Sequence, residues 1–294
     1  THAALLAVLG EIAMPGETIG CEAITYPGVR AIAEQLGLRL AGIPGDADGI
    51  DPGALARLGR TGAIRTLYLN PTIRNPTTET MPMQRRAEIV EVARRYGIRI
   101  VEDDAYGFLP VEAPAALAML APELTFHVSG LAKCLGAGLR LAYLLCPETR
   151  MARRVAGRLK TATVMASPVT SALASRWIDT GVADDILAAI RAEAKARQRI
   201  ASEVLPQGCA RLDVEGFHLW VTLPAPWTRA RIVDWMRGQS LGAVASDVFA
   251  LEEPLPEAFR LCLGGAASRA ETRRTLEFLA DAFEHPPNMI HDGL

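Results

Sequence analysis

One lysine stands in an unusual setting. The stretch Ser129-Gly130-Leu131-Ala132-Lys133-Cys134-Leu135-Gly136-Ala137-Gly138-Leu139-Arg140 surrounds Lys133 with small and apolar residues and puts Arg140 seven positions further on. Apolar runs flank it on both sides, residues 124–128 and 141–145, and read as short buried strands bounded by turn residues. A lysine in a glycine-rich loop between buried strands is poorly solvated, which lowers its pKa and makes its amine a nucleophile toward carbonyl compounds. Arg140 offers a fork for a phosphate. Taken alone, Lys133 is far more readily read as a solvated loop lysine, as most loop lysines are, and the rest of the chain is what raises the catalytic reading.

Further candidates follow other apolar runs, and each has two readings. Asp103 ends the run Ile98-Arg99-Ile100-Val101-Glu102. It either caps the next element or pairs with a cationic ring nitrogen and keeps it protonated, as electron-sink chemistry requires. Tyr106 either donates to a ring oxygen or is a boundary tyrosine satisfied by backbone. Asn75 could bond the same oxygen, although Asn-Pro pairs also start turns. Tyr26 could stack on a flat ring or staple the helix that Pro27 begins. Arg260, within Phe259-Arg260-Leu261-Cys262-Leu263, requires an anion such as a substrate carboxylate if buried, or snorkels from an edge strand.

The elements that must position these residues alternate. Helical segments are expected over 3–13, 27–36, from 52, and over 83–96. Strands are expected over 18–21, 39–43, 64–69 and 98–101, with a polar loop at 46–49. That alternation predicts an α/β fold with a mainly parallel sheet covered on both faces. Polar clusters recur just after strands, at 70–78, 102–107 and 129–133. Ligand sites of open α/β sheets lie at the carboxyl ends of strands, so the three clusters point at one place. From about 148 to 202 the chain reads as nearly all helical. Strands at 216–223 and 259–263, with helices near 229–237 and over 268–283, then predict a smaller α+β domain. The expected division is 1–190, 191–284 and a loose polar tail, 285–294.

Composition narrows the class. The chain has 294 residues, half of them hydrophobic, with 31 basic against 33 acidic residues and a net charge of −2. No basic patch for nucleic acid stands out. Five cysteines are scattered without metal-ligand spacing, which suggests a reducing, cytoplasmic compartment and no metal site. No apolar run has the length of a membrane span, and no signal peptide is visible. The chain opens inside a helical pattern and reads as a fragment whose start lies upstream.

The order Tyr26, Asn75-Pro76, Asp103-x-x-Tyr106, Lys133, Arg140 and a late Arg260 resembles the fold-type I pyridoxal-phosphate enzymes, specifically the class I/II aminotransferase domain, from Thr1 to about Phe283. That resemblance implies a seven-stranded-type sheet in the large domain. It implies that Lys133 binds pyridoxal 5′-phosphate as a Schiff base and acts as general acid/base. Asp103 would pair with the pyridine nitrogen, Asn75 and Tyr106 would bond the ring O3′, and Tyr26 would stack on the ring. Ser129 and Arg140 would serve the phosphate. Arg260, with Asn75, would contact an amino-acid substrate through its α-carboxylate.

Within the family the chain is similar to the MocR subfamily of GntR-type transcriptional regulators. The segments Thr25-Tyr26-Pro27-Gly28, Asn75-Pro76-Thr77-Thr78, Glu102-Asp103-Asp104-Ala105-Tyr106-Gly107, Gly216-Phe217-His218-Leu219-Trp220 and Arg260-Leu261-Cys262-Leu263-Gly264-Gly265 carry that likeness. It implies an amino-acid or amine ligand, a homodimer, and DNA binding only through an upstream winged-helix domain. A working aminotransferase is the alternative. The chain departs from the family at Gly130 and Ala132, where hydroxyl residues are usual.

Overall fold

The computed structural model describes residues 1–265 and 267–286. Most of the tail, 287–294, thus lies outside the described residues. The chain divides into two compact units, one of Thr1–Asn75 with Glu79–Ala189, the other of Pro76–Thr78 with the chain from Ile190 onward.

In the first unit the elements run α1 (His2–Ile12), β1 (Thr18–Glu22), α2 (Pro27–Gln35), β2 (Arg39–Ile43), β3 (Gly45–Asp46), β4 (Gly49–Ile50), α3 (Pro52–Thr61), β5 (Thr66–Leu69), α4 (Met83–Tyr96), β6 (Arg99–Asp103), α5 (Leu117–Leu120), β7 (Thr125–Gly130) and β8 (Ala142–Leu145). The helices α6 (Thr149–Thr163) and α7 (Pro168–Asp179) follow, and α8 (Val182–Val204) runs on into the second unit. The main sheet has the order β2-β1-β5-β6-β7-β8. Pairings are parallel up to β7, and β8 joins antiparallel. Among the described residues the sheet therefore has six strands, one fewer than the seven-stranded type. The stretch read as a polar loop near 46–49 is a tight antiparallel pair, β3 with β4.

Local chemistry explains the helix ends. The Asp51 carboxylate accepts from the backbone N–H of Gly53 at 3.0 Å and of Ala54 at 2.9 Å, which caps α3, and Pro52 suits its first turn. Pro27 plays the same part in α2. The helix α4 ends on Gly97 in the left-handed region, where a missing Cβ removes the steric cost.

Strand alternation sorts the two sheet faces. In β6, Ile100 and Glu102 point to one face while Val101 and Asp103 point to the other. The first face is covered by α3, α4 and α5, where Leu67, Leu69, Ile89, Ala93, Ile98 and Ile100 pack in one cluster. On the other, α1 packs against β6, β7 and α6. Every candidate residue of this unit lies at a carboxyl strand end or in the loop that follows it.

The second unit holds β9 (Ala210–Leu212), β10 (His218–Thr222), α9 (Arg229–Trp235), β11 (Gly242–Ala245), β12 (Ala258–Cys262) and α10 (Arg269–Glu284). Its antiparallel sheet has the order β11-β12-β10-β9, so two strands join the two expected from sequence. Leu219, Val221, Phe259, Leu261, Leu276 and Leu279 form its core. A capping box opens α10: the Ser268 hydroxyl and the Glu271 carboxylate satisfy each other's backbone N–H.

Candidate functional site

Asp103 is the best-defined residue of the site. It is the last residue of β6, it is buried, and its carboxylate is asymmetric. Oδ2 accepts a hydrogen bond from the Tyr68 hydroxyl at 2.8 Å, while Oδ1 is buried with no hydrogen-bond partner. Parallel pairing of Tyr68 with Val101 places Tyr68 and Asp103 on the same sheet face. Burial pushes the Asp103 carboxyl up to about 6, against the lowering effect of the Tyr68 hydrogen bond. The Tyr68 phenol is itself pushed well above its ordinary value, by burial first and by the Asp103 charge next, so it remains a donor.

A second residue of β5's carboxyl end ties the neighbours together. The Asn70 side-chain amide donates to the Asp103 carbonyl at 2.5 Å, and its Oδ1 accepts from the Asn75 backbone N–H at 2.8 Å. The Asn70 backbone N–H donates to Oε1 of Glu22, at the end of β1, at 3.2 Å. One asparagine thus fixes the ends of β1, β5 and β6 and the start of the Asn75 loop. Glu22 is buried too, and burial raises its pKa although the Arg74 charge opposes this.

Lys133 follows β7 in a turn, partly buried, with Nζ 5.8 Å from the ring centroid of buried Tyr106. That distance is within cation–π range. Ser129 is buried in β7, paired with Tyr143 of β8. Arg140 is exposed, with φ of 53°. A Cβ built on Gly130 would meet Oγ1 of Thr1, a side-chain oxygen that rotation about χ1 can move aside. Tyr26 precedes α2 and its ring covers Gly28, where any Cβ would strike it. The structure therefore gathers Asp103, Asn75, Lys133, Tyr106, Ser129, Arg140 and Tyr26 at strand ends or following loops of one unit. Arg260 belongs to the second unit, in β12 opposite Trp220, with its guanidinium 5.2 Å from the Phe249 ring centroid.

Sequence reasoning missed Tyr68, Asn70 and Glu22. Tyr68 passed as one more apolar strand residue, and Asn70 as a turn starter before Pro71. The one available signal was position: Tyr68 and Asn70 are two apart at a strand end, hence on one face. Glu102, beside Asp103, points to the opposite face and is structural. It accepts from the backbone N–H of Leu117 at 2.8 Å and of Ala118 at 3.0 Å, and from His127 Nδ1 at 2.8 Å, with Arg86 at 3.7 Å. Burial works against the charge of His127, but the Glu102 hydrogen bond and the charges of Glu102 and Asp104 outweigh it and raise its pKa.

An unsatisfied buried carboxylate oxygen, a lysine beside an aromatic ring and polar loops thus share the carboxyl ends of parallel strands. Residues 1–279 match the family model described as aminotransferase class I and II, and the chain belongs to that family. Its fold is that of solved aminotransferases: an archaeal alanine:glyoxylate aminotransferase superposes over 97% of this chain and 74% of its own, with TM-score 0.86 and 23% identity. Among curated relatives, the HTH-type transcriptional regulator YdeF of Bacillus subtilis is 28% identical over 86% of this chain and 55% of its own length. The mitochondrial kynurenine/alpha-aminoadipate aminotransferase of Bos taurus is 25% identical over 74% of this chain and 56% of its own. The HTH-type transcriptional regulator TauR of Rhodobacter capsulatus is 27% identical over 69% and 41%, respectively. The chain thus spans roughly half the length of the curated relatives it matches.

Proposed function

We propose that this domain binds pyridoxal 5′-phosphate and an amino-acid or amine ligand as the sensing half of a MocR-type transcriptional regulator. The observation that carries the cofactor reading is Asp103. A buried carboxylate with one oxygen held and the other unsatisfied is costly unless a cation with an N–H completes it. A protonated pyridine nitrogen is such a group, so the residues present fit the cofactor. When bound, the cofactor supplies an electron sink for the bonds of an attached amine.

The chain's own residues would then take these parts. Lys133 supplies the amine that holds the cofactor covalently and accepts or returns a proton. Asp103 keeps the ring nitrogen protonated. Asn75, anchored by Asn70, and Tyr106 bond the ring oxygen, and Tyr26 covers the ring. Ser129 and Arg140 serve the phosphate, with the start of α1 as a further source of backbone N–H groups. Arg260 is proposed as the carboxylate ligand on the strength of sequence resemblance. The regulator reading is supported by YdeF and TauR, both described as HTH-type regulators. By the same resemblance we propose a homodimer, DNA contact through a winged-helix domain outside this chain, and a cytoplasmic location consistent with five free cysteines. No helix among the described residues is long and apolar enough to cross a membrane.

The test is an absorbance titration of the full-length protein with pyridoxal phosphate, followed by borohydride reduction and peptide mapping, beside Lys133→Ala. A band trapped on Lys133 and lost in the variant is expected. No band in the intact protein would overturn the cofactor reading. The aminotransferase relative favours a second reading, full turnover. Sustained production of a 2-oxo acid from an amino acid and a second 2-oxo acid would select it.

A further inference from the structure

We propose that Tyr68 is a positioning residue for Asp103: its hydroxyl occupies Oδ2, so that Oδ1 is the oxygen left to receive an N–H from a cationic ligand. The inference rests on the reading of Asp103 as the partner of a ring nitrogen.

The geometry supports a specific role rather than simple packing. Tyr68 is fully buried in the middle of the main sheet, and its hydroxyl donates to Asp103 at 2.8 Å. The backbone of Asp103 is held separately, by the Asn70 amide on its carbonyl. Main chain and side chain of Asp103 are thus fixed by two different residues of one strand end. With Oδ2 engaged, rotation of the carboxylate that would turn Oδ1 away breaks a buried hydrogen bond, whose loss leaves an unsatisfied polar group. A phenol that stays protonated can only donate to an ionised carboxylate, and so favours the ionised form. Burial alone drives Asp103 the other way. Tyr68 therefore does two things at once: it aims the free oxygen, and it keeps the carboxylate charged near neutral pH, which a protonated ring nitrogen requires of its partner.

Tyr68→Phe removes the hydroxyl and keeps the ring. The first readout is the titration midpoint of Asp103 in the cofactor-free protein, followed by carbon NMR of labelled aspartate and assigned by its loss in Asp103→Asn. The midpoint should rise by about one pH unit in Tyr68→Phe, a tenfold change in proton affinity. The second readout is affinity for pyridoxal phosphate across pH: the loss in Tyr68→Phe should approach about tenfold near pH 5, where the ionised fraction of Asp103 differs most, and shrink to less than about twofold by pH 7.5, where Asp103 is mostly ionised in both proteins. As a check that does not depend on the variant folding, site-specific 3-fluorotyrosine at position 68 gives a more acidic phenol and a stronger donor, and should move the midpoint down. An unchanged midpoint in Tyr68→Phe, or no shift with fluorotyrosine if that variant does not fold, overturns the proposal. So does a loss of cofactor affinity without a midpoint change, which would mark Tyr68 as packing only. If the wild-type protein takes up no pyridoxal phosphate while the midpoint shifts as expected, the cofactor reading fails and the Tyr68–Asp103 coupling stands.

Discussion

Replacing Asp103 with asparagine should make the cofactor-free protein gain stability, relative to wild type, as pH rises. The carboxyl titrates near 3.8 when unperturbed and is pushed to about 6 in the fold, chiefly by burial. Between those values the folded state binds more protons than the unfolded chain, so stability falls as pH rises through that window. At pH 7.5 the full penalty is about 3 kcal/mol, from roughly two units at ~1.36 kcal/mol each. At pH 4 most of it is absent, because the folded carboxyl is protonated and the unfolded one is still protonated about 40% of the time. Asparagine carries no titration and can still accept from Tyr68. The stability difference, variant minus wild type, should therefore increase by roughly 2.5 kcal/mol from pH 4 to pH 7.5. Asparagine has its own offset from a buried amide lacking partners, and that offset does not change with pH. The buried Glu22, whose pKa burial also raises, is present in both proteins and largely cancels in the difference. Urea unfolding at several pH values measures the quantity directly. A difference that stays flat with pH, or that moves in favour of wild type, would refute the argument that an uncompensated carboxylate is stored in this fold. Adding pyridoxal phosphate should then stabilise wild type more than the variant, since a ligand that binds only the folded state shifts the equilibrium toward it.

Three further outcomes are expected. Glu102→Gln should destabilise by about 3 kcal/mol, because buried Arg86 and His127 lose their anion, and a urea midpoint unchanged from wild type would contradict it. His127 has a folded pKa raised above 6.5, so its contribution is fully present below that value and is lost as pH rises through the folded pKa. The advantage of wild type over His127→Gln should shrink over that range in thermal melts, and an advantage that grows with pH would count against the Glu102 hydrogen bond. In the second unit, buried Arg197 donates from Nη1 to the Leu263 carbonyl at 2.5 Å and from Nη2 to the Ala267 carbonyl at 2.6 Å. Arg197→Met should cost about 2 kcal/mol and speed hydrogen exchange of the amides around Leu263 and Gly264, which lie just after Arg260.

The amino-acid sequence alone determined the architecture class and the candidate list. Apolar runs alternating with amphipathic segments dictate a parallel sheet, because each strand must bury both faces and each helix one stripe, and polar clusters after strands mark its carboxyl end. The types and order of Tyr26, Asn75, Asp103, Tyr106, Lys133 and Arg140 were legible because those groups sit at strand ends or in the loops that follow, where they stand out from the apolar runs. Tertiary structure decided what strand residues do. Tyr68 and Asp103 are 35 positions apart, and only parallel pairing of β5 with β6 puts a hydroxyl on a carboxylate oxygen. Glu102 and Asp103 are neighbours of the same chemistry, yet the pleat sends one to cap α5 and the other to the site face. Such roles are set by which surfaces the sheet brings together, information that local propensity and spacing do not contain.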